Sequence, residues 1–161
     1  MSRSLTIFML CAALAGMARA ETKAVDGWVR GTVPQQQASG AFMRNMGLGR
    51  RYVDGKLGMT FVLEAHVTYD REVKEGDPLR ITTQILDHDA KRIHYIHEMH
   101  HAAEGYLAAT NELMLMNIDY ETRRSAPWPD FAMERIEKLA AAHAGLPRPA
   151  QAGRLIGIKR K

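Results

Sequence analysis

Two residues that can act together in catalysis, Glu64 and His66, lie two positions apart in one alternating stretch. In residues 60–69 the odd positions are apolar and the even positions are mostly polar, which is typical of a β-strand with one apolar face. Both side chains therefore point to the same side of the predicted sheet. A carboxylate with an imidazole partner can serve in general acid–base catalysis. We predict Glu64 as the catalytic carboxylate and His66 as its hydrogen-bonding partner; the alternative is a merely polar outer face.

Four strands in series are predicted to position these side chains. They span residues 60–71, 79–86, 92–101 and 107–120, with turns at 74–78, 87–91 and 103–105. The links are too short for crossover helices, so the sheet is antiparallel. Apolar spacing predicts a helix after the sheet, capped by Asp130 and ended by Gly145. Residues 40–46 are predicted to form one or two helical turns. The order of elements indicates an α+β fold.

The first 20 residues have the features of a secretory signal peptide. Arg3 precedes an apolar run at residues 5–18, and Ala18-Arg19-Ala20 forms a small-x-small cleavage signature. The run is too short to span a bilayer as a stable helix, so no membrane span is predicted. A buried first helix is the alternative interpretation.

Bulk composition narrows the classes of function. The chain has 161 residues, 46% hydrophobic and 25% charged, which fits one folded domain and argues against disorder. Its net charge of +4 comes partly from a basic C-terminus, and its few aromatic residues are not interleaved with basic ones. Nucleic-acid binding is therefore unsupported. The single cysteine, Cys11, has no partner for an internal disulfide.

Residues 1–43 resemble the signal peptide and first strands of the periplasmic copper chaperones called PCuAC. The resemblance rests on WVRGTVP at 28–34 and GAFM at 40–43, which form strands in that family. It implies export and a chaperone-like head at residues 21–43, after the signal peptide at 1–20. The copper(I) ligands of those proteins lie further downstream, so the head alone binds nothing.

The chain from about residue 41 to its end resembles the thioesterase-like hotdog family, in the branch that includes betainyl-CoA thioesterases of carnitine catabolism. The matching segments are FMRNMGL at 42–48, LEAHV at 63–67, VKEGDPL at 73–79, LDHDAKRIH at 86–94, SAPWP at 125–129, AAAHAGLP at 140–147 and QAGRLIG at 151–157. The resemblance implies a hotdog fold, an antiparallel sheet wrapped around a helix, with a further C-terminal helix. It also implies acyl-CoA hydrolysis in a dimer whose active site lies at the subunit interface.

One motif of that family is absent. The branch opens its central helix with a segment of the type Asp-Tyr-Asn-Gly-His-Met, whereas residues 1–40 contain neither an Asp-x-Asn sequence nor a histidine. We therefore expect a shortened or altered central helix and an impaired activity. The interpretation is a chaperone-like head joined to a thioesterase body, residues 44–161, near Ala41-Phe42-Met43.

The family resemblance also suggests roles for other polar residues. Lys91 and Arg92 follow a turn and are candidates to bind the phosphates of CoA, although solvated turn residues are the alternative. Residues 92–101 also hold a cluster of imidazole and thioether groups that would suit copper(I): His94, His97, Met99, His100 and His101. Because this strand fits the thioesterase pattern, we predict no metal site and no cofactor.

The preferred hypothesis is an acyl-CoA thioesterase for a small acyl group such as betainyl, acting as a homodimer or higher homo-oligomer. The alternatives are an exported copper chaperone-like binding protein and an inactive hotdog module that only dimerises. Because CoA thioesters are cytoplasmic substrates, the enzyme hypothesis predicts a cytoplasmic location, whereas a functional signal peptide predicts the periplasm.

Overall fold

The computed structural model describes residues 7–10, 19–22 and 33–158. Cys11, most of the WVRGTVP segment and the last three basic residues lie outside these ranges. The elements, in chain order, are β1 (Ile7–Leu10), β2 (Arg19–Thr22), α1 (Val33–Asn45), α2 (Arg50–Asp54), β3 (Met59–Tyr69), β4 (Leu79–His88), β5 (Arg92–His101), β6 (Leu107–Ile118) and α3 (Asp130–His143).

The described strands form one sheet in the order β2-β1-β4-β5-β6-β3. The pairs β4–β5, β5–β6 and β3–β6 are antiparallel, and the four predicted strands are confirmed with ends within about two residues of those expected. Strand β1 is an addition: it pairs in parallel with the first residues of β4, and β2 extends the sheet beyond it. The described sheet is therefore mixed at one edge, and β3 forms the opposite edge.

A bulge interrupts the regular alternation predicted for β3. Val62 pairs with Leu115 and Glu64 pairs with Met114, so Leu63 is the extra residue between them. Phe61 and Glu64 consequently lie on the same face of the sheet. The prediction that the odd residues of this strand form one continuous apolar face is wrong. Phe61, Val62 and Leu63 are all exposed at this edge, at 44%, 55% and 50%.

Helix α1 packs across one face of the sheet and forms the centre of the core. Its residues Ala38, Ala41 and Phe42 are buried, and the ring centroids of Phe42 and Tyr95 are 4.8 Å apart. Spacing by three and four residues puts these side chains on one stripe of the helix. The predicted helical turns at 40–46 are confirmed as part of a longer helix. The GAFM strand implied by the chaperone resemblance does not form, because residues 40–43 are helical.

Helix α3 covers the same face beside α1. Ala132, Ile136 and His143 are buried, and the backbone N–H of Ile85 donates to Nδ1 of His143 at 3.0 Å. Burial lowers the pKa of His143. The predicted side-chain cap by Asp130 is wrong, because the N-cap position is Pro129 and no side-chain cap bond forms there.

A helix laid against one face of an antiparallel sheet, with a C-terminal helix beside it, is the arrangement expected for a hotdog fold. The hydrophobic cluster at its centre includes Phe42, Ile85, Ile93, Tyr95, Leu115 and Ile136. Within the described ranges no helix is long and apolar enough to cross a membrane.

Candidate functional site

The sheet face that points away from α1, called here the outer face, carries a pocket of about 210 Å³. Strand pairing builds its floor: Glu64 of β3 and His94 of β5 both pair with Met114 of β6, and His66 pairs with Glu112. The wall comes from Gly153, Arg154 and Leu155, which follow α3. Two carboxylates and two imidazoles therefore surround one cavity.

The structure brings Glu64 and His66 into the same pocket but does not join them. Among the described residues no hydrogen bond links the two side chains, so the predicted partnership is not formed in this state. The hydrogen-bonded carboxylate and imidazole of the pocket are Glu112 and His94, with Oε1 and Nε2 2.7 Å apart. The catalytic role of Glu64 and His66 stays a prediction.

Glu112 is a polar residue of the site that sequence reasoning missed, as is Arg154. The side chain of Glu112 is 12% exposed, and its carboxylate also accepts a hydrogen bond from the backbone N–H of Gly153, at 2.8 Å to Oε2 and 3.1 Å to Oε1. The even positions of β6 could have identified it as a neighbour of His94, but only if the register between the two strands were known. The carboxylate thus joins β5 to the C-terminal segment.

Lys91 and Arg92, the predicted phosphate ligands, are not among the residues that line this pocket. The guanidinium of Arg92 is bonded to Asp89, with Nη2 and Nε 2.6 and 2.8 Å from Oδ2. Oδ1 of Asp89 accepts hydrogen bonds from the backbone N–H groups of Lys91 and Arg92. The side-chain hydrogen bond from Arg92 is the main cause of the lowered pKa of Asp89. A phosphate group at this turn would compete with Asp89 for Arg92, while Lys91 has no ion pair within the described ranges.

His97 belongs to the core and not to the pocket. Its Nε2 lies 2.9 Å from Oγ of Ser39 on α1, and its Nδ1 lies 2.7 Å from Oγ1 of Thr83 on β4. The side chain is fully buried, and burial lowers the pKa of His97 to about 3. The imidazole is therefore neutral at physiological pH and holds α1 to the sheet.

The remaining histidines of β5 are also divided between separate surroundings. Nδ1 of His101 accepts from the backbone N–H of Glu104 at 3.0 Å, on the face opposite His94. His97 and Met99 share the core face, and His94 and His100 share the outer face, as the alternation predicted. Within residues 33–158 no three His, Cys, Asp or Glu side chains are arranged to hold a metal ion. The copper-binding interpretation of this strand gains no support from the geometry.

The sequence matches a known family over most of its length. The model of the Thioesterase-like superfamily matches residues 32–136. The chain is 38% identical over 121 residues to the betainyl-CoA thioesterase of Pseudomonas aeruginosa, covering 75% of this chain and 76% of that protein. It is 35% identical over 122 residues to the L-carnitine dehydrogenase/betainyl-CoA thioesterase of Rhizobium meliloti, covering 76% of this chain but 24% of that longer protein. The chain therefore belongs to the thioesterase-like superfamily.

Solved structures agree with this assignment. A hypothetical protein of Staphylococcus aureus in complex with CoA superimposes with a TM-score of 0.76 at 28% identity, over 84% of this chain and 88% of that one. A putative thioesterase of Pseudomonas putida gives 0.64 at 33% identity, over 76% and 78%. The hotdog fold is confirmed, whereas the resemblance of the first 43 residues to a copper chaperone is unsupported.

Proposed function

We propose that this protein is an acyl-CoA thioesterase that hydrolyses small acyl groups, with betainyl-CoA as the first substrate to test. The observation that carries the proposal is the family match over residues 32–136, which includes all four strands of the antiparallel sheet. Relatives named betainyl-CoA thioesterases and a structural neighbour solved with CoA support the substrate class.

The proposed catalytic group is the carboxylate of Glu64. It takes a proton from water as the water oxygen attacks the thioester carbonyl, after which the C–S bond breaks and CoA leaves as the thiol with that proton. His66 lies in the same pocket and, with substrate bound, donates a hydrogen bond that orients the carboxylate. Lys91 and Arg92 remain candidates for the phosphates of CoA. Because the Asp-Tyr-Asn-Gly-His-Met segment is absent, we expect slow turnover.

We also propose that the protein works as a homodimer formed through the β3 edge. In the described part of the chain no strand pairs with this edge, and it carries the exposed side chains of Phe61, Val62 and Leu63. Such an edge favours pairing with another strand. A second copy paired there would cover the apolar residues and bring its surface close to Glu64, which follows them directly. Glu64 would then lie at a subunit interface, as the family resemblance implies.

The cytoplasm is the location that fits this substrate class. Strand β1 lies inside the segment that resembles a signal peptide, and its backbone pairs with β4. Signal-peptide cleavage after Ala20 would remove β1 and cut β2 in two. The sheet with both strands therefore requires that the signal peptide is not cleaved. N-terminal sequencing of the expressed protein decides the point: a start at Glu21 means export, and an intact N-terminus supports the cytoplasm.

The proposal is tested by measuring free thiol released from a panel of acyl-CoAs, including acetyl-, butyryl- and betainyl-CoA. We expect release above the spontaneous rate, fastest with short acyl chains. The matched reference is the same protein after heat inactivation. Absence of release above this reference across the panel would contradict the proposed activity and favour the inactive dimerisation module.

A further inference from the structure

The segment that follows α3 passes from one face of the sheet to the other. His143, at the end of α3, is buried on the core side, while Gly153 bonds to Glu112 on the outer face. Gly153 has a φ of +74°, a backbone conformation that favours glycine. The bifurcated hydrogen bond from the Gly153 N–H to the Glu112 carboxylate therefore holds the segment at a glycine turn directly beside the pocket.

The residues beyond this turn have features that the fold does not explain. Leu155, Ile156 and Ile158 are about 90% exposed, and three large apolar side chains so close together on a surface usually have a partner. Arg154 lines the pocket, is exposed, and makes no ion pair within the described ranges. A guanidinium next to apolar side chains matches a ligand that has phosphate groups joined to a flexible arm with methyl and methylene groups.

We propose that Glu112 is a positioning residue that clamps Gly153, so that Arg154 and the apolar residues after it form a wall for acyl-CoA. Arg154 binds a phosphate group, and Leu155 covers the arm that leads to the thioester. This inference rests on the proposed thioesterase function. It differs from the predicted phosphate contact at Lys91 and Arg92, because Arg154 borders the cavity and those two residues do not. Arg92 is also paired with Asp89, whereas Arg154 has no acidic partner among the described residues.

The clamp is tested without reference to activity by limited trypsin digestion of the full-length protein. Cleavage of the Arg154–Leu155 bond, followed by mass spectrometry, reports release of the segment. In Glu112→Gln the carboxylate is lost, and we expect cleavage about fivefold faster than in the wild type, since one charge-assisted hydrogen bond is weakened. Glu98→Gln is the matched control, because Glu98 lies on the same face of the sheet without contact to the segment. Equal cleavage in all three proteins would overturn the clamp.

The substrate role is tested with Arg154→Gln, for which Arg148→Gln is the control in the same segment. We expect KM for acyl-CoA to rise about tenfold with kcat within about twofold, which is the loss of one phosphate contact. KM for the same acyl group on pantetheine, which has no phosphate, should be unchanged. An unchanged KM for acyl-CoA, or an equal rise for both substrates, would overturn this role.

A binding measurement separates failure of this inference from failure of the proposed function. Free CoA should protect the Arg154–Leu155 bond of the wild type from trypsin, whether or not the protein turns over any thioester. Protection without hydrolysis would reject the thioesterase proposal and keep the binding wall. Hydrolysis without protection would reject the wall and keep the thioesterase.

Discussion

Nε2 of His94 and Oε1 of Glu112 lie 2.7 Å apart across the neighbouring strands β5 and β6. Both side chains are mostly withdrawn from water, with 22% and 12% of their surface exposed. A carboxylate in such a position is stabilised by each donor that it keeps, because its desolvation must be compensated by hydrogen bonds. Because Glu112 also accepts a hydrogen bond from Gly153, the pair connects the sheet to the pocket wall formed by residues 153–155.

Replacing His94 by leucine should lower the free energy of unfolding by about 1–2 kcal/mol, because Glu112 loses one donor in a partly buried site. Urea denaturation measures this change. His100→Leu is the control on the same strand and face: Nδ1 of His100 is buried without a partner in the described part of the chain, so its removal should cost little. Equal losses in both variants would contradict a stabilising role for the pair.

Stability should fall as the solution is acidified, and His97 should contribute to the fall. The pKa of His97 is about 3 in the folded protein, because of burial, against about 6.5 for an exposed histidine. Between these values the unfolded chain binds a proton that the folded chain does not. The free energy of unfolding should therefore decrease below about pH 6.5, by roughly 1 kcal/mol per pH unit from this residue.

The contribution of His97 is isolated by comparing slopes and not absolute stabilities. In His97→Gln the dependence of unfolding free energy on pH between 6.5 and 4 should become shallower, even though the variant is less stable. His143, whose pKa burial also lowers, keeps a part of the slope in both proteins. Urea denaturation at a series of pH values provides the measurement, and an unchanged slope in His97→Gln would contradict the account.

Removing the hydroxyl of Tyr52 should destabilise the junction between α2 and β6. The hydroxyl donates to Oδ1 of Asn117 at 3.0 Å, and Nδ2 of Asn117 donates to the carbonyl oxygen of Pro127 at 2.8 Å. Tyr52→Phe leaves a buried acceptor without that donor, which costs about 1–2 kcal/mol. Thermal unfolding should show a lower Tm than in Tyr120→Phe, the control. A Tm equal to that of the control would show that the bond contributes nothing.

A charge at the β3 edge should dissociate the proposed dimer. Val62 is 55% exposed in the single chain, so Val62→Lys is tolerated by the monomer but is costly in an apolar interface. Light scattering coupled to size-exclusion chromatography should give a dimer mass for the wild type and a monomer mass for the variant. Ala103→Lys, in the exposed turn after β5, adds the same single positive charge and is the control. A dimer that survives Val62→Lys would place the interface elsewhere.

Strands β3 to β6 and helix α3 followed from local patterns in the sequence, whereas β1 and β2 were not predicted. Alternation, short links and apolar spacing act over a few residues, so β5 was predicted with its observed ends and the other strands nearly so. The bulge at Leu63 could not be predicted, since it arises from pairing with β6 and leaves no local signal. The extent of α1 was also missed, because residues 33–45 have no strong helical periodicity and are held by packing of Phe42 on Tyr95.

Only part of the candidate site was predicted, because alternation relates residues within one strand and does not reveal how strands pair. Glu64 and His66 are neighbours on one strand, so alternation alone placed them together. Glu112 is distant from both in sequence, and only the register of β3 and β5 on β6 brings it to His66 and His94. Residues 153–155 reach the outer face through a turn at Gly153. The sequence around Gly153 does not indicate that this turn lies beside a strand.

The central claim, that Glu64 is the catalytic carboxylate, is tested most directly by the kcat of Glu64→Gln with the best acyl-CoA of the panel. The change keeps the size of an exposed side chain and removes only its charge and basicity, so the fold should be retained; Glu75→Gln, in the turn before β4, is the control. We predict a kcat reduced by about 100-fold or more in Glu64→Gln and unchanged in Glu75→Gln. A Glu64→Gln variant with the kcat of the wild type would contradict the claim.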